Sequence, residues 1–88
     1  MRRVHVLIKG KVQGVFFRRN ALELAKKLDL KGWMKNVSKG VEAVFEGDDE
    51  KIKDMLEFCA IGPEGAKVTS IDVTEETYIG EFKGFTRD

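Results

Sequence analysis

Residues 3–28, RVHVLIKGKVQGVFFRRNALELAKKL, change their apolar period partway along, and that change decides the fold. Val4, Val6 and Ile8 alternate with Arg3, His5 and Lys9, the two-residue period of a strand with one buried face. Leu7 is the apolar intrusion on the other face. From Phe17 onward, Ala21, Leu24, Ala25 and Leu28 recur at helical spacing and form one apolar stripe. Between the two patterns lie Gly10 and Gly14, which call for a loop with backbone angles that other residues avoid. The prediction is strand, glycine loop, helix. Lys26, Lys27 and Lys31 sit toward the end of that helix, where they complement its dipole, and Gly32 is expected to close it.

Working outward, Gly32–Val37 (GWMKNV) and Val41–Glu46 (VEAVFE) read as a hairpin around a Ser38-Lys39-Gly40 turn. Gly47-Asp48-Asp49 starts a second helix over Glu50–Ala60, with Ile52, Met55, Leu56 and Cys59 as its buried stripe. Gly62-Pro63-Glu64-Gly65 leads to a strand within Lys67–Glu75. There Ile71 and Val73 are in phase and Val68 is not, so a bulge is expected. Phe82 and Phe85 suggest a short final strand. The order is β-α-β-β-α-β, and right-handed crossovers place both helices on one face of an antiparallel sheet. The expected fold is therefore α+β, a ferredoxin-like two-layer sandwich with a short extra C-terminal strand. At 88 residues it is a single domain, 1–88.

Composition narrows the chemistry. The chain is 42% apolar and 35% charged, the balance of a globular protein. One cysteine (Cys59) and one histidine (His5) exclude an intrachain disulfide and a zinc site of the usual Cys/His kind. Cys59 lies on the buried stripe of the second helix and reads as packing, His5 as a surface strand residue. Residues 1–40 hold eleven basic and two acidic side chains, residues 41–88 five and thirteen. The split suits an anionic partner for the first half, or two halves that neutralise each other across the fold. A net charge of +1 gives little long-range pull on nucleic acid. No secretory pattern and no apolar run of about 20 residues is present. A cytoplasmic monomer without nucleic-acid or membrane partners is expected.

The loop after the first strand carries the chemistry. A tight strand-to-helix loop directs several backbone N–H groups into one concavity, and the helix N-terminus adds partial positive charge, together an anion site suited to phosphate. Gly14 permits the turn, Arg18 in the first helical turn can grip two oxygens with its planar guanidinium, and Lys11 adds diffuse positive potential. This is not the nucleotide P-loop, because Gly10-Lys11 is followed by Val12 rather than Ser or Thr. Nor is it the dinucleotide fingerprint, which needs a third glycine in a parallel setting. Taken alone, the pattern also fits an ordinary strand-to-helix turn. Trp33 reads as packing, Phe16 and Phe17 as anchors of loop and helix, and Arg19 as solvent-facing.

The segment Gly10-Lys11-Val12-Gln13-Gly14-Val15-Phe16-Phe17-Arg18 resembles the acylphosphatase signature G-x-V-Q-G-V-x-F-R. A second block, Gly32-Trp33-Met34-Lys35-Asn36 followed by Gly40-Val41-Glu42, is similar to that family's G-W-V-x-N…G-x-V-E segment. It departs in Met34, where the family has a branched aliphatic residue, and in a turn after Asn36 that is one residue shorter. The resemblance spans essentially the whole chain. It implies hydrolysis of the carboxyl-phosphate bond of acyl phosphates to a carboxylate and inorganic phosphate, without metal or cofactor. It implies that Arg18 and the backbone of Gln13, Gly14, Val15, Phe16 and Phe17 hold the phosphoryl group, and that Asn36 orients the attacking water. The residue chemistry agrees, because phosphoryl transfer asks mainly for positioning and charge stabilisation, and a carboxylate leaves without a strong general acid. Two alternatives share the fold: a non-catalytic phosphate-binding domain, and a single-strand nucleic-acid module. The second lacks the aromatic signature of such modules, with Val44–Glu50 (VFEGDDE) placing acid where it would lie.

Overall fold

A computed structural model describes residues 1–14 and 16–87 of the chain. The elements run β1 (Arg2–Lys11), α1 (Phe17–Lys27), β2 (Lys31–Val37), β3 (Gly40–Gly47), α2 (Asp49–Ile61), β4 (Lys67–Glu76) and β5 (Phe85–Arg87). The sheet order is β4-β1-β3-β2-β5. The first four strands pair antiparallel, as expected for the ferredoxin-like arrangement. The extra C-terminal strand differs from them: β5 joins β2 in parallel, so the complete sheet is mixed at one edge.

Both helices pack on one face. Val4, Val6 and Ile8 of β1 and Val41, Ala43 and Phe45 of β3 are sealed against Phe17, Ala21 and Ala25 of α1 and Ile52, Met55 and Cys59 of α2. The apolar periods single out these residues together with Leu24, Leu28 and Leu56, which are only partly buried at the edge of the core. Burial of this apolar surface is the main favourable contribution to folding. The bulge in β4 is present: Lys9 pairs with Ser70 and Gly10 with Val68, so Thr69 is the extra residue. It turns Val68 and Ile71, three apart, onto the same core-facing side.

Gly32 does not close α1. The helix reaches Lys27, with Leu28 as its cap, and the chain reverses at Asp29, which takes φ 55°. Leu30 N–H donates to Ala25 O at 2.8 Å and Asp29 N–H to Lys26 O at 3.1 Å, the paired bonds of a Schellman ending. A short polar residue tolerates the left-handed region, so Asp29 does the work expected of glycine, while Lys31 belongs to β2. Gly32 is required for another reason. It lies inside β2 at φ 138°, where a Cβ would fall 1.9 Å from the carbonyl oxygen of Val44.

Cys59 is sealed in the core, as its place on the α2 stripe predicts, and burial pushes its thiol up to about 12 from an ordinary 9.0. Buried neutral in the fold and free to ionise in the unfolded chain, it costs stability only as pH rises from about 9 toward 12. At pH 8 an aromatic disulfide reagent is therefore expected to label the native protein at least about 100-fold more slowly than the denatured chain. Rapid stoichiometric labelling of native protein would contradict that packing.

Candidate active site

The two helices begin in opposite ways. α2 starts after Asp48, in extended conformation, with Asp49 and Glu50 in its first turn to meet the positive end of the dipole. α1 has no acidic residue in its first turn and no side chain capping its start. Its N-cap is Phe16, held in the left-handed region at φ 57° and ψ 23°. That conformation costs a bulky residue on the order of 1–3 kcal/mol. The next residues are Phe17, Arg18 and Arg19, which add cationic side chains where the dipole and the unpaired N–H groups are already electropositive.

A hollow of about 350 Å³ opens at this point, lined by Val12, Gly14, Phe16, Phe17, Arg18, Arg19 and Arg87. Among the described residues no acidic side chain is part of that lining. Gly14 takes φ 73°, and a Cβ there would meet nothing within 4 Å, so its glycine serves conformation rather than space. Phe17 is buried and anchors the helix start against Phe58, with ring centroids 5.5 Å apart. Phe16 does not anchor: it is 70% exposed at the rim, with the Arg19 guanidinium 6.0 Å from its ring. Its carbonyl is fixed by Asn20, which donates to it from both the backbone N–H (3.0 Å) and the side-chain amide (2.9 Å). That fixed peptide also sets the direction of the Phe17 N–H. Val15 lies outside the described residues.

Arg18 is half-buried beside Phe17, and among the described residues no carboxylate pairs with it. Arg19 is exposed and its Nε lies 3.8 Å from Glu23 Oε1. Gln13 sits apart from the Arg18 hollow. With Lys11, Ser38 and Lys39 it lines a neighbouring one of about 250 Å³, and its side-chain amide donates to Val37 O and Gly40 O, both at 2.8 Å.

Asn36 comes to the same end of the sheet without lining the hollow. In register it sits opposite Val41 of β3, which sits opposite Ile8 of β1, three residues before β1 ends at Lys11 and the loop begins. It follows buried Met34 by two residues, so it shares the helix-facing side of β2, beyond the core, where it is exposed. Arg87 was not singled out from the sequence. It pairs with Met34 across the β2–β5 edge and reaches the hollow two residues after buried Phe85. Alternation from Phe85 puts it on the helix-facing side of a strand, but only the pairing of β5 with β2 brings it to this hollow.

The remaining candidates lie elsewhere. His5 is on the open face of the sheet, its Nε2 2.6 Å from Glu42 Oε2. Trp33 is half-buried on that face under Lys35, whose Nζ is 5.2 Å from the ring centre. Far from the hollow, Arg3 is held by Glu76 and Glu81, and then by Glu46, which together raise its pKa further above the ordinary range. Among the described residues no three His, Cys, Asp or Glu side chains gather as a metal site, and no helix is long and apolar enough to cross a membrane.

A family model described as acylphosphatase matches residues 4–87. An acylphosphatase of Pyrobaculum aerophilum is 52% identical over 87 residues, covering 97% of this chain and 92% of that one. One of Syntrophus aciditrophicus is 49% identical over 86 residues, covering 97% and 90%. Among solved structures, the Bacillus subtilis acylphosphatase superposes with a TM-score of 0.93 at 34% identity, covering 100% of this chain and 99% of that one.

Proposed function

The chain belongs to the acylphosphatase family and hydrolyses acyl phosphates to a carboxylate and inorganic phosphate, and we propose that Arg18, the loop amides and Asn36 carry out that reaction. The observation that carries the assignment of residues is the start of α1. It has neither cap nor acid, yet places Arg18 and Arg19 on the positive end of its own dipole and leaves an open hollow in front. Such a helix start is locally unfavourable until an anion fills it, and local conflict of this kind belongs at functional sites.

In the proposed complex the phosphoryl oxygens sit on the backbone N–H groups from Gln13 to Phe17, while the Arg18 guanidinium grips two of them side by side. Asn36 orients a water on the opposite side of phosphorus from the acyl oxygen. The water oxygen bonds to phosphorus as the bond from phosphorus to the acyl oxygen breaks. The carboxylate departs with that electron pair and needs no proton. Asn36 is neutral and cannot take up the water's proton, which passes to a phosphoryl oxygen. Charge spreads over the equatorial oxygens, which Arg18 and the amides stabilise in this reading. The substrate is a small acyl phosphate rather than nucleic acid, and every assigned residue comes from one chain, which suits a cytoplasmic monomer.

Purified protein should release benzoate and phosphate from benzoyl phosphate at the same rate with and without EDTA. No turnover, or loss of turnover on chelation, would defeat the proposal.

A further inference from the structure

The side chain of Gln13 bridges two parts of the proposed site that belong to different elements. One is the β1–α1 loop, which contributes Gly14, Phe16, Phe17 and the start of the Arg18 helix. The other is the β2–β3 hairpin, which carries Asn36. Between them the Gln13 amide nitrogen lies 2.8 Å from Val37 O and 2.8 Å from Gly40 O. Both partners are carbonyls and can only accept, so the orientation of the amide is settled by them: its two N–H groups are both spent on the hairpin. Val37 is the residue after Asn36, and Val37 and Gly40 face each other as the pair that closes the Ser38-Lys39 turn. One side chain therefore ties the phosphate loop to the strand end from which Asn36 projects.

We propose that Gln13 is a positioning residue that fixes Asn36, and the water it orients, relative to the phosphoryl group held by the loop. This rests on the roles proposed for Arg18 and Asn36. Among the described residues no other side-chain hydrogen bond links the loop to the hairpin. Gly40 backs onto β1 so closely that a Cβ would fall 2.0 Å from Ile8 O, which fixes the β1 side of the turn and leaves the β2 side to the Gln13 amide. Ser38 and Lys39 are exposed. Without the amide, the phosphate contacts of the loop remain, because they are backbone groups and Arg18. The alignment between bound phosphorus and the Asn36 water does not, and a misplacement of about 1 Å costs on the order of 100-fold in rate.

The signature is a split between kcat and phosphate affinity, together with coupling to Asn36. With benzoyl phosphate as substrate, Gln13→Ala should lower kcat by about 10-fold or more while inhibition by inorganic phosphate weakens less than about twofold. Gln13→Glu, which keeps the volume but turns an acceptor toward the two carbonyls, should lose at least as much. In an Asn36→Ala background, Gln13→Ala should change kcat less than about twofold, since no oriented water is left to misplace. Circular dichroism confirms that each variant is folded at the assay temperature. Wild-type kcat in both Gln13 variants would overturn the proposal. So would phosphate inhibition weakening in step with kcat, or a full multiplicative loss in the Asn36→Ala background. Normal turnover in Asn36→Ala alone would instead remove the proposed role of Asn36 itself, and the two failures are thereby told apart.

Discussion

Arg18→Ala should lower kcat/KM for benzoyl phosphate by at least about 10²–10³-fold, the loss found when one preorganised donor is removed from a comparable anion hole. The loss should appear in both binding and turnover, because in the proposed complex the guanidinium meets charge already present on the bound phosphate and charge that grows in the transition state. Stability should scarcely change. Arg18 is half-buried and has no carboxylate partner among the described residues, and its removal relieves the stacking of cationic charge at the start of α1. The melting temperature is expected to stay within a few degrees of wild type or to rise. Added phosphate should raise it for wild type far more than for the variant. Arg18→Lys separates charge from shape: an ammonium keeps the former and loses the two-point grip, so recovery should be small. A folded Arg18→Ala protein with near-normal turnover would remove the guanidinium from the mechanism.

The same local conflict explains how much of the molecule can be read from its residues. The strand, loop and first helix follow from a change of apolar period, because Val4, Val6, Ile8, Phe17, Ala21 and Ala25 are all sealed in one core. The out-of-phase Val68 announces the Thr69 bulge for the same reason: core burial on both sides of a slip leaves no other solution. Where the competing forces are local and similar in size, the sequence is ambiguous. Asp29 and Gly32 can each occupy left-handed backbone, and the choice between them is made by Leu30 entering the core. The direction of β5 is invisible in a three-residue strand with one buried side chain.

At the site, Arg18 is marked by its place in the glycine-loop motif, and Phe16 is not, because nothing in the residue type foretells an exposed aromatic at φ 57°. Arg87 and the Gln13 side chain owe their positions to pairing across the chain, with Met34 in one case and with the hairpin carbonyls in the other. Periodicity gives at most the face of Arg87 and carries no information about these partners. Asn36 is intermediate. Its strand and face follow from the alternation with Met34, whereas its role comes from the resemblance alone.

Asn36→Ala should lower kcat by about 10²-fold or more while KM and inhibition by inorganic phosphate stay within about threefold of wild type. Asn36 stands on the helix-facing side of β2 at the end of the Ile8–Val41–Asn36 row, beside the loop rather than in the lining of the hollow, so it has little to lose in ground-state phosphate binding. In the proposed mechanism its contribution is confined to the step in which a water must sit in line with the departing carboxylate. Asn36→Asp sharpens the test. It keeps the size and one oxygen acceptor but brings a negative charge toward a phosphoryl dianion, so KM and phosphate inhibition should now worsen as well, and more so at low ionic strength. The Ala variant failing in kcat alone and the Asp variant failing in both would place the neutral amide next to, but not on, the phosphate. Equal weakening of phosphate inhibition in both would place Asn36 on the phosphate itself and leave the water without its guide.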